Sequence, residues 1–498
     1  MSNFTPFFYR LISRVTGQSY TSAWDEKLPH ILLGMVGFLL FCIIFSAVYW
    51  NYLAKIDQRI KQLFVATATL LGGELVLKYG VSLRIRGYWS DRWFFYAVPS
   101  PRLESFMWLG LASAIAFLFI YFRSYFERLK RWQFLIVTMT VFIGFALAVA
   151  GIRGGVSSII DPLTRTYWEY TGALPFIKDA PDFLRNFISL IPRLPVHVQL
   201  HPPGYPLVLY GWQQFFSVGL LGMAVLLIMT ASLSFIPIFY VAERWRGGKE
   251  ARSIISMMVF SPALVLFSAT SVEAIFVAVV SYALVAAFFG WKEKMSWSVA
   301  AGVFMALGVL GNFLFLLLGP CFLAFIVYLI RTAPADKWKI ILRVILSGAS
   351  FLTVFVILWL LTGYSPVTNF FIARSYNSAL VESNFSSLLV YFGYMFMNVL
   401  EFGFYFGIPL LVVFIRQWPE SFQKSALWFK FGLFNLTFFL IVGIFQGEVG
   451  RIWLFIVPFF LFFYSPFFVL EDKKFFSAFL ALLAAQSIIV QLLFYTFW

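Results

Sequence analysis

The stretch GIRGGVSSIIDPLTRTYWEYTGALPFIKDAPDFLRNFISLIPRLPVHVQLHPPGYP, Gly151 to Pro206, is a long polar interruption in a chain otherwise written as apolar runs. It holds Asp161, Arg165, Glu169, Lys178, Asp179, Asp182, Arg185 and Arg193, with two of the three histidines of the protein, His197 and His201. On either side the runs are long enough to cross about 30 Å of hydrocarbon, which takes about 20 helical residues. The contrast sets the expected fold: an all-α polytopic membrane protein whose ionisable groups collect in one large loop. Such a loop is where chemistry is expected.

Composition agrees. Of 498 residues 61% are hydrophobic and 12% charged, against about 25% charged in an ordinary soluble domain. A net charge of +15 would suggest nucleic acid in a soluble chain. Here Lys and Arg fall in short loops between apolar runs, where they orient helices, so no nucleic-acid partner is expected. Cys42 and Cys321 lie inside apolar runs, which leaves neither a disulfide framework nor a Cys-rich metal site. The first run, Ile31 to Trp50, is followed by no small-residue cleavage pattern and is read as a retained helix.

Further crossings are expected at Leu63 to Tyr79, Phe106 to Phe122, Trp132 to Ile152, Val218 to Val241, Ser253 to Ser268, Val272 to Gly290, Ser298 to Leu310 and Phe313 to Ile330. Val344 to Thr362, Leu388 to Phe414, Phe429 to Ile444, Ile452 to Val469 and Phe475 to Phe497 complete a set of about 13 or 14. Within Leu63 to Tyr79, Glu74 and Lys78 stand at i,i+4 and can neutralise each other on one face. Gly204 to Ser217 reads as a re-entrant or interfacial piece. The chain divides into membrane helices at 1–132, a core at 133–345 that includes the outer loop 151–206, and a C-terminal set at 346–498 with outer loops 363–387 and 446–451.

Loops rich in Lys and Arg belong inside: Arg123 to Arg131, Glu243 to Arg252, Trp291 to Lys294, Arg331 to Arg343, Arg416 to Lys424 and Glu471 to Lys474. Alternation then places outside the 151–206 loop, Ala269 to Glu273, the turn at Asn312, Gly363 to Ser387 and Gln446 to Arg451. Every polar feature nominated for chemistry lands on one face.

Several residues carry a bland reading beside a functional one. Asp161-Pro162 is either a helix start, since Asp caps and Pro suits the first turn, or a carboxylate looking into a cavity at the membrane surface. Glu169 is either a second acid or a solvated residue on a short amphipathic helix with Tyr167, Trp168 and Tyr170. His201 precedes two prolines, which hold it extended and fix where its ring points. His197 and His201 stand at i,i+4, a metal-binding spacing on a helix, but Pro195, Pro202 and Pro203 argue against a helix there. Arg451 opens an apolar helix, and its guanidinium either anchors at the interface or grips two phosphate oxygens. Glu448 either orients it or acts as an acid, and Arg374 is a second cation of the outer loops. Glu273 either caps a helix with Ser271 or binds hydroxyls. Glu401 is a carboxylate at depth, functional by default, unless its run is broken around Asn398.

A crossing, an outer loop with an acid near its start, and HPPGYPL (His201 to Leu207) leading into the next apolar segment together resemble the polyprenyl-phosphate-dependent GT-C glycosyltransferases, the group of protein O-mannosyltransferases and the aminoarabinose transferase of lipid A. SPALVLFSATSVEAIFVAVVSYALVAAFFGWKEK (Ser261 to Lys294) and AAGVFMALGVLGNFLFLLLGP (Ala300 to Pro320) are similar to theirs in layout. The likeness spans about Val141 to Ile330. It implies sugar transfer at the extracytoplasmic face, with Asp161 as general base and Glu169 as a second catalytic acid. Arg451, His201 and Arg374 would hold the donor phosphate, and Glu273, Glu448 and Tyr205 the acceptor or sugar. The implied partners are a polyprenyl-phosphate sugar, membrane lipids and an acceptor that is a glycan, a lipid or a protein.

A diphosphate donor would call for a divalent ion held by several carboxylates. The outer loops are poor in clustered acids, so a monosaccharide on a monophosphate carrier and no cofactor are expected. The membrane is expected to be the bacterial cytoplasmic one. The alternative is a multi-spanning transporter or lipid flippase, which would show intramembrane charges and repeated broken helices; a membrane scaffold would explain neither polar loop.

Overall fold

The computed structural model describes residues 57–82, 98–424, 427–464 and 473–496. The expected first crossing, Ile31 to Trp50, lies outside these residues, as do the side chains of Glu74 and Lys78 on the described helix Gln58–Ser82.

The chain is an all-α polytopic membrane protein. Among the described residues seven helices are long and apolar enough to span: Phe106–Phe126, Arg131–Gly151, Leu220–Arg246, Ala274–Lys292, Phe313–Thr332, Pro334–Thr362 and Lys473–Leu493. Two bent pairs, Gly248–Phe260 with Pro262–Thr270 and Val390–Phe406 with Ile408–Gln417, raise the number to nine if each is one span. The expected 13 or 14 crossings counted the whole chain, including Ile31 to Trp50, and several of them fall on shorter helices. Met295–Gly311, Leu427–Val442 and Leu454–Phe463 are apolar but shorter; at 1.5 Å per residue a 17-residue helix covers about 25 Å.

Helix ends follow local chemistry. Ser105, Ser365 and Ser387 each accept a backbone N–H at a helix start, satisfying a donor that has no intrahelical partner. The region Gly363 to Ser387, expected as a loop, contains the 19-residue helix Pro366–Asn384. The run Leu388 to Phe414 is broken, as one reading allowed, but at Gly407 and not around Asn398. Gly407 has φ +130°, a conformation that favours glycine, and the two halves turn by 107°. Glu401 thus sits within the first half and is 1% exposed.

Ala274–Lys292 is the central helix, with 89% of its apolar window buried, whereas Pro334–Thr362, at 11%, faces outward. Around this axis the loops sort into two ends. At one, Arg131 pairs with Glu243 at 2.8 Å, Arg244 with Glu293 at 3.5 Å, and Arg252 donates to the Leu129 carbonyl. Arg343 donates to the carbonyls of Lys292 and Glu293, and Arg123 to that of Lys473. At the other, Phe187 packs on Tyr364, Asn384 donates to the Gly443 carbonyl, and Asn398 to that of Phe445. The basic loops and the polar loops of the alternation scheme segregate.

The 151–206 segment is itself folded: Val156–Thr164, the 3-10 stretch Tyr170–Phe176, Ala180–Leu190, Val196–Leu200, and then Gly204–Phe216. Asp179 starts Ala180–Leu190 by accepting from Asp182 N–H at 2.7 Å, with Pro181 in the first turn. A two-residue antiparallel ladder, Val98–Pro99 with Phe494–Tyr495, closes the fold. Buried Arg153 reinforces it, donating to the carbonyls of Ser100, Gln491 and Phe494.

Candidate functional site

The knuckle at His201 shapes the site. Pro195 precedes one helical turn, Val196–Leu200, so a short helix does form where the prolines argued against one. The backbone N–H groups of Val196 and His197 donate to the carbonyls of Tyr167 and Trp168, folding the segment back on itself. His201 then turns extended, at φ −128° and ψ 161°, as a residue before proline must. Gly204 lies so close to the backbone of Leu310 and Gly311 that a Cβ would collide with it. That contact seats HPPGYP against the end of Met295–Gly311 and brings Asn312 alongside.

Tyr170 fills the space under the knuckle. Its ring centroid is 5.9 Å from that of His197, 6.1 Å from that of His201 and 5.2 Å from that of Tyr205. Glu169 is 4% exposed, which corrects its reading as a solvated residue. One carboxylate oxygen stands 3.5 Å from His197 Nδ1, and the other has no hydrogen-bond partner among the described residues. Tyr167 and Trp168 are the exposed members of that stretch.

Glu273 enters from the start of the central helix, buried, with the Ser271 hydroxyl donating to it. Arg451 approaches from the outer stretch Gln446 to Arg451, its guanidinium 4.0 Å from Glu273 and in contact with Glu448. The turn that carries it is clamped from Leu388–Phe406: Asn398 accepts from Gly447 N–H at 3.0 Å, and Glu401 from Gly450 N–H at 3.4 Å.

The groups share one field. Burial pushes His201 down to about 4, with His197 and Arg451 helping and Glu273 opposing. Burial alone would raise Glu273, but Arg451, the Ser271 hydrogen bond and the two histidines outweigh it and hold the carboxyl low. Burial raises Tyr170 and Tyr205, and Glu273 adds to both. The result is a buried carboxylate, two imidazoles, two phenols and an arginine in electrostatic contact, drawn from distant parts of the chain. Such a set can take a proton from a hydroxyl and hold an anion.

Asp161 is placed differently. It lies within Val156–Thr164, not at a helix start, and its side chain is 38% exposed. Tyr495 donates to it at 2.7 Å, and Arg165 stands 3.4 Å away. Arg374 is exposed on Pro366–Asn384. The structure thus joins Glu169, His197, His201, Tyr205, Glu273, Arg451 and Glu448, and leaves Asp161 and Arg374 outside their contacts. Among the described residues no group of three His, Cys, Asp or Glu side chains is arranged to hold a metal ion. Sequence reasoning assigned no role to Tyr170, Asn312 or Asn398 as site residues. A polar residue at the tip of an apolar helix was the available signal for Asn312.

No family model, curated protein or solved structure matches this chain.

Proposed function

We propose that the chain is an integral-membrane glycosyltransferase that moves a sugar from a polyprenyl monophosphate to an acceptor hydroxyl at the extracytoplasmic face. The observation that carries this reading is the convergence of Glu169, His197, His201, Glu273 and Arg451 in one buried cluster, at the end of the helical body away from the basic loops. The positive-inside tendency supports an extracytoplasmic position for that end.

In the proposed reaction the acceptor hydroxyl gives its proton to Glu169 as its oxygen bonds to the anomeric carbon of the sugar. The bond from that carbon to the phosphate oxygen breaks, and its electron pair stays on the leaving phosphate. Arg451 stabilises the charge that grows there, an interaction stronger in the transition state than in the ground state. Glu169 is preferred as base over Asp161, because the latter is tied to Tyr495 and Arg165. His201, neutral near pH 7, donates a hydrogen bond to the phosphate.

The test is transfer of radiolabel from polyprenyl-phosphate sugars to candidate glycan, lipid and protein acceptors by the purified chain in nanodiscs. Glu169→Gln should abolish transfer, and Arg451→Ala should slow it by orders of magnitude. Substrate-driven flux in sealed vesicles without transfer would replace the enzyme by a carrier.

A further inference from the structure

We infer that Glu448 occupies the donor phosphate's place on Arg451 and is displaced when the donor binds; this inference rests on the transferase reading above. Arg451 lies between two carboxylates, Glu273 and Glu448. A bound phosphodiester would bring another negative charge to a guanidinium whose own exposure is small. Three anions around one buried cation repel one another in a medium that screens poorly. One carboxylate has to move away.

The structure distinguishes the two. Glu273 is buried at the head of the central helix, receives the Ser271 hydroxyl and is held ionised by Arg451 and the histidines. Glu448 sits on a four-residue helical turn, and its side chain is 30% exposed. Among the described residues its carboxylate meets only Arg451. Its backbone is left-handed, at φ +57°, a conformation that a residue with a side chain holds at a cost. Turning the Glu448 side chain outward loses one local i,i+3 contact and leaves its backbone, held by the Arg451 and Ile452 N–H groups, in place. Moving Glu273 would strand a buried group. The Glu448 side chain is also the more exposed of the two carboxylates, at 30% against 9% for Glu273. Glu448 then acts as a gate: it keeps the guanidinium paired when no donor is present and sets a threshold that weak anions do not pass.

The experiment is direct binding of sugar-free polyprenyl phosphate, with inorganic phosphate as a second probe, to the full chain in nanodiscs. Wild type, Glu448→Gln, Glu448→Asp and Arg451→Ala are compared, each checked for folding by its thermal transition. Because a partly exposed ion pair contributes up to about 1 kcal/mol, Glu448→Gln should bind polyprenyl phosphate roughly fivefold more tightly than wild type. Glu448→Asp, with a shorter reach, should lie between them, and inorganic phosphate should follow the same order. Equal or weaker binding by a folded Glu448→Gln overturns the gate and makes Glu448 a positioning residue. If wild type binds and Arg451→Ala does not, that failure leaves the transferase reading standing. If wild type binds no polyprenyl phosphate, the transferase reading falls, and the gate with it.

Discussion

Glu169 and Asp161 are eight residues apart and in unlike surroundings. The first has a buried oxygen that no described residue hydrogen-bonds and a histidine beside it; the second faces an arginine and a tyrosine at the surface. Glu169→Gln should therefore remove transfer, while Asp161→Asn should leave a measurable rate, and kcat for the two variants separates the assignments. Arg451→Ala should lower kcat/KM by about 10²- to 10³-fold, the usual loss when a group that stabilises a developing oxyanion is removed. His201 gives a stability test. Its folded value of about 4 lies below the ordinary 6.5, so between these pH values the unfolded chain binds more protons than the folded one. Stability is full above about pH 6.5 and declines as pH falls towards 4. Thermal transitions of wild type should show that decline, and His201→Gln should flatten it. At this scale the sequence is readable where a charge interrupts an apolar run, as at Arg451, Glu273 and Glu401. It is silent on Tyr170 and Asn312, because a phenol or an amide acquires its role only from what folds on top of it.

Among the elements, the pair Val390–Phe406 and Ile408–Gln417 shows how an apolar run hides a break. Hydrophobicity continues through Gly407, so the run reads as one long helix, yet the backbone turns there by 107°. A Cβ at Gly407 would lie 2.9 Å from Leu483 and require a left-handed backbone. Gly407→Ala should cost roughly 1–3 kcal/mol, visible as a lower thermal transition in detergent. The signal in the sequence was the Gly-Ile-Pro tripeptide at 407–409, which is weaker than the apolar pattern around it. The knuckle was better legible: prolines fix backbone angles through covalent geometry, and His201 is extended as its position before Pro202 requires. The one-turn helix just before it was not, since Pro195 is tolerated at a helix start and blocks only an interior.

For the molecule as a whole, the two-ended arrangement was the most legible feature. It depends on where charges fall between runs, and a parity argument survives an error of a few spans provided that paired crossings are dropped together. Basic loops far apart in sequence do meet through Arg131, Arg244, Arg252 and Arg343. If they face the cytoplasm, a cysteine at exposed Lys178 should react with an impermeant maleimide added to intact cells, and one at exposed Lys294 should react only after lysis. The opposite labelling would turn the proposed site inward.

Arg153 and Asp161, at the front of the polar segment, are both fastened to the far end of the chain: the first to carbonyls at residues 491 and 494, the second to Tyr495. During synthesis these anchors emerge more than three hundred residues after the groups that need them. The front of the polar segment therefore gains these anchors only after the helix Lys473–Leu493 has followed it, which makes them a late event of assembly.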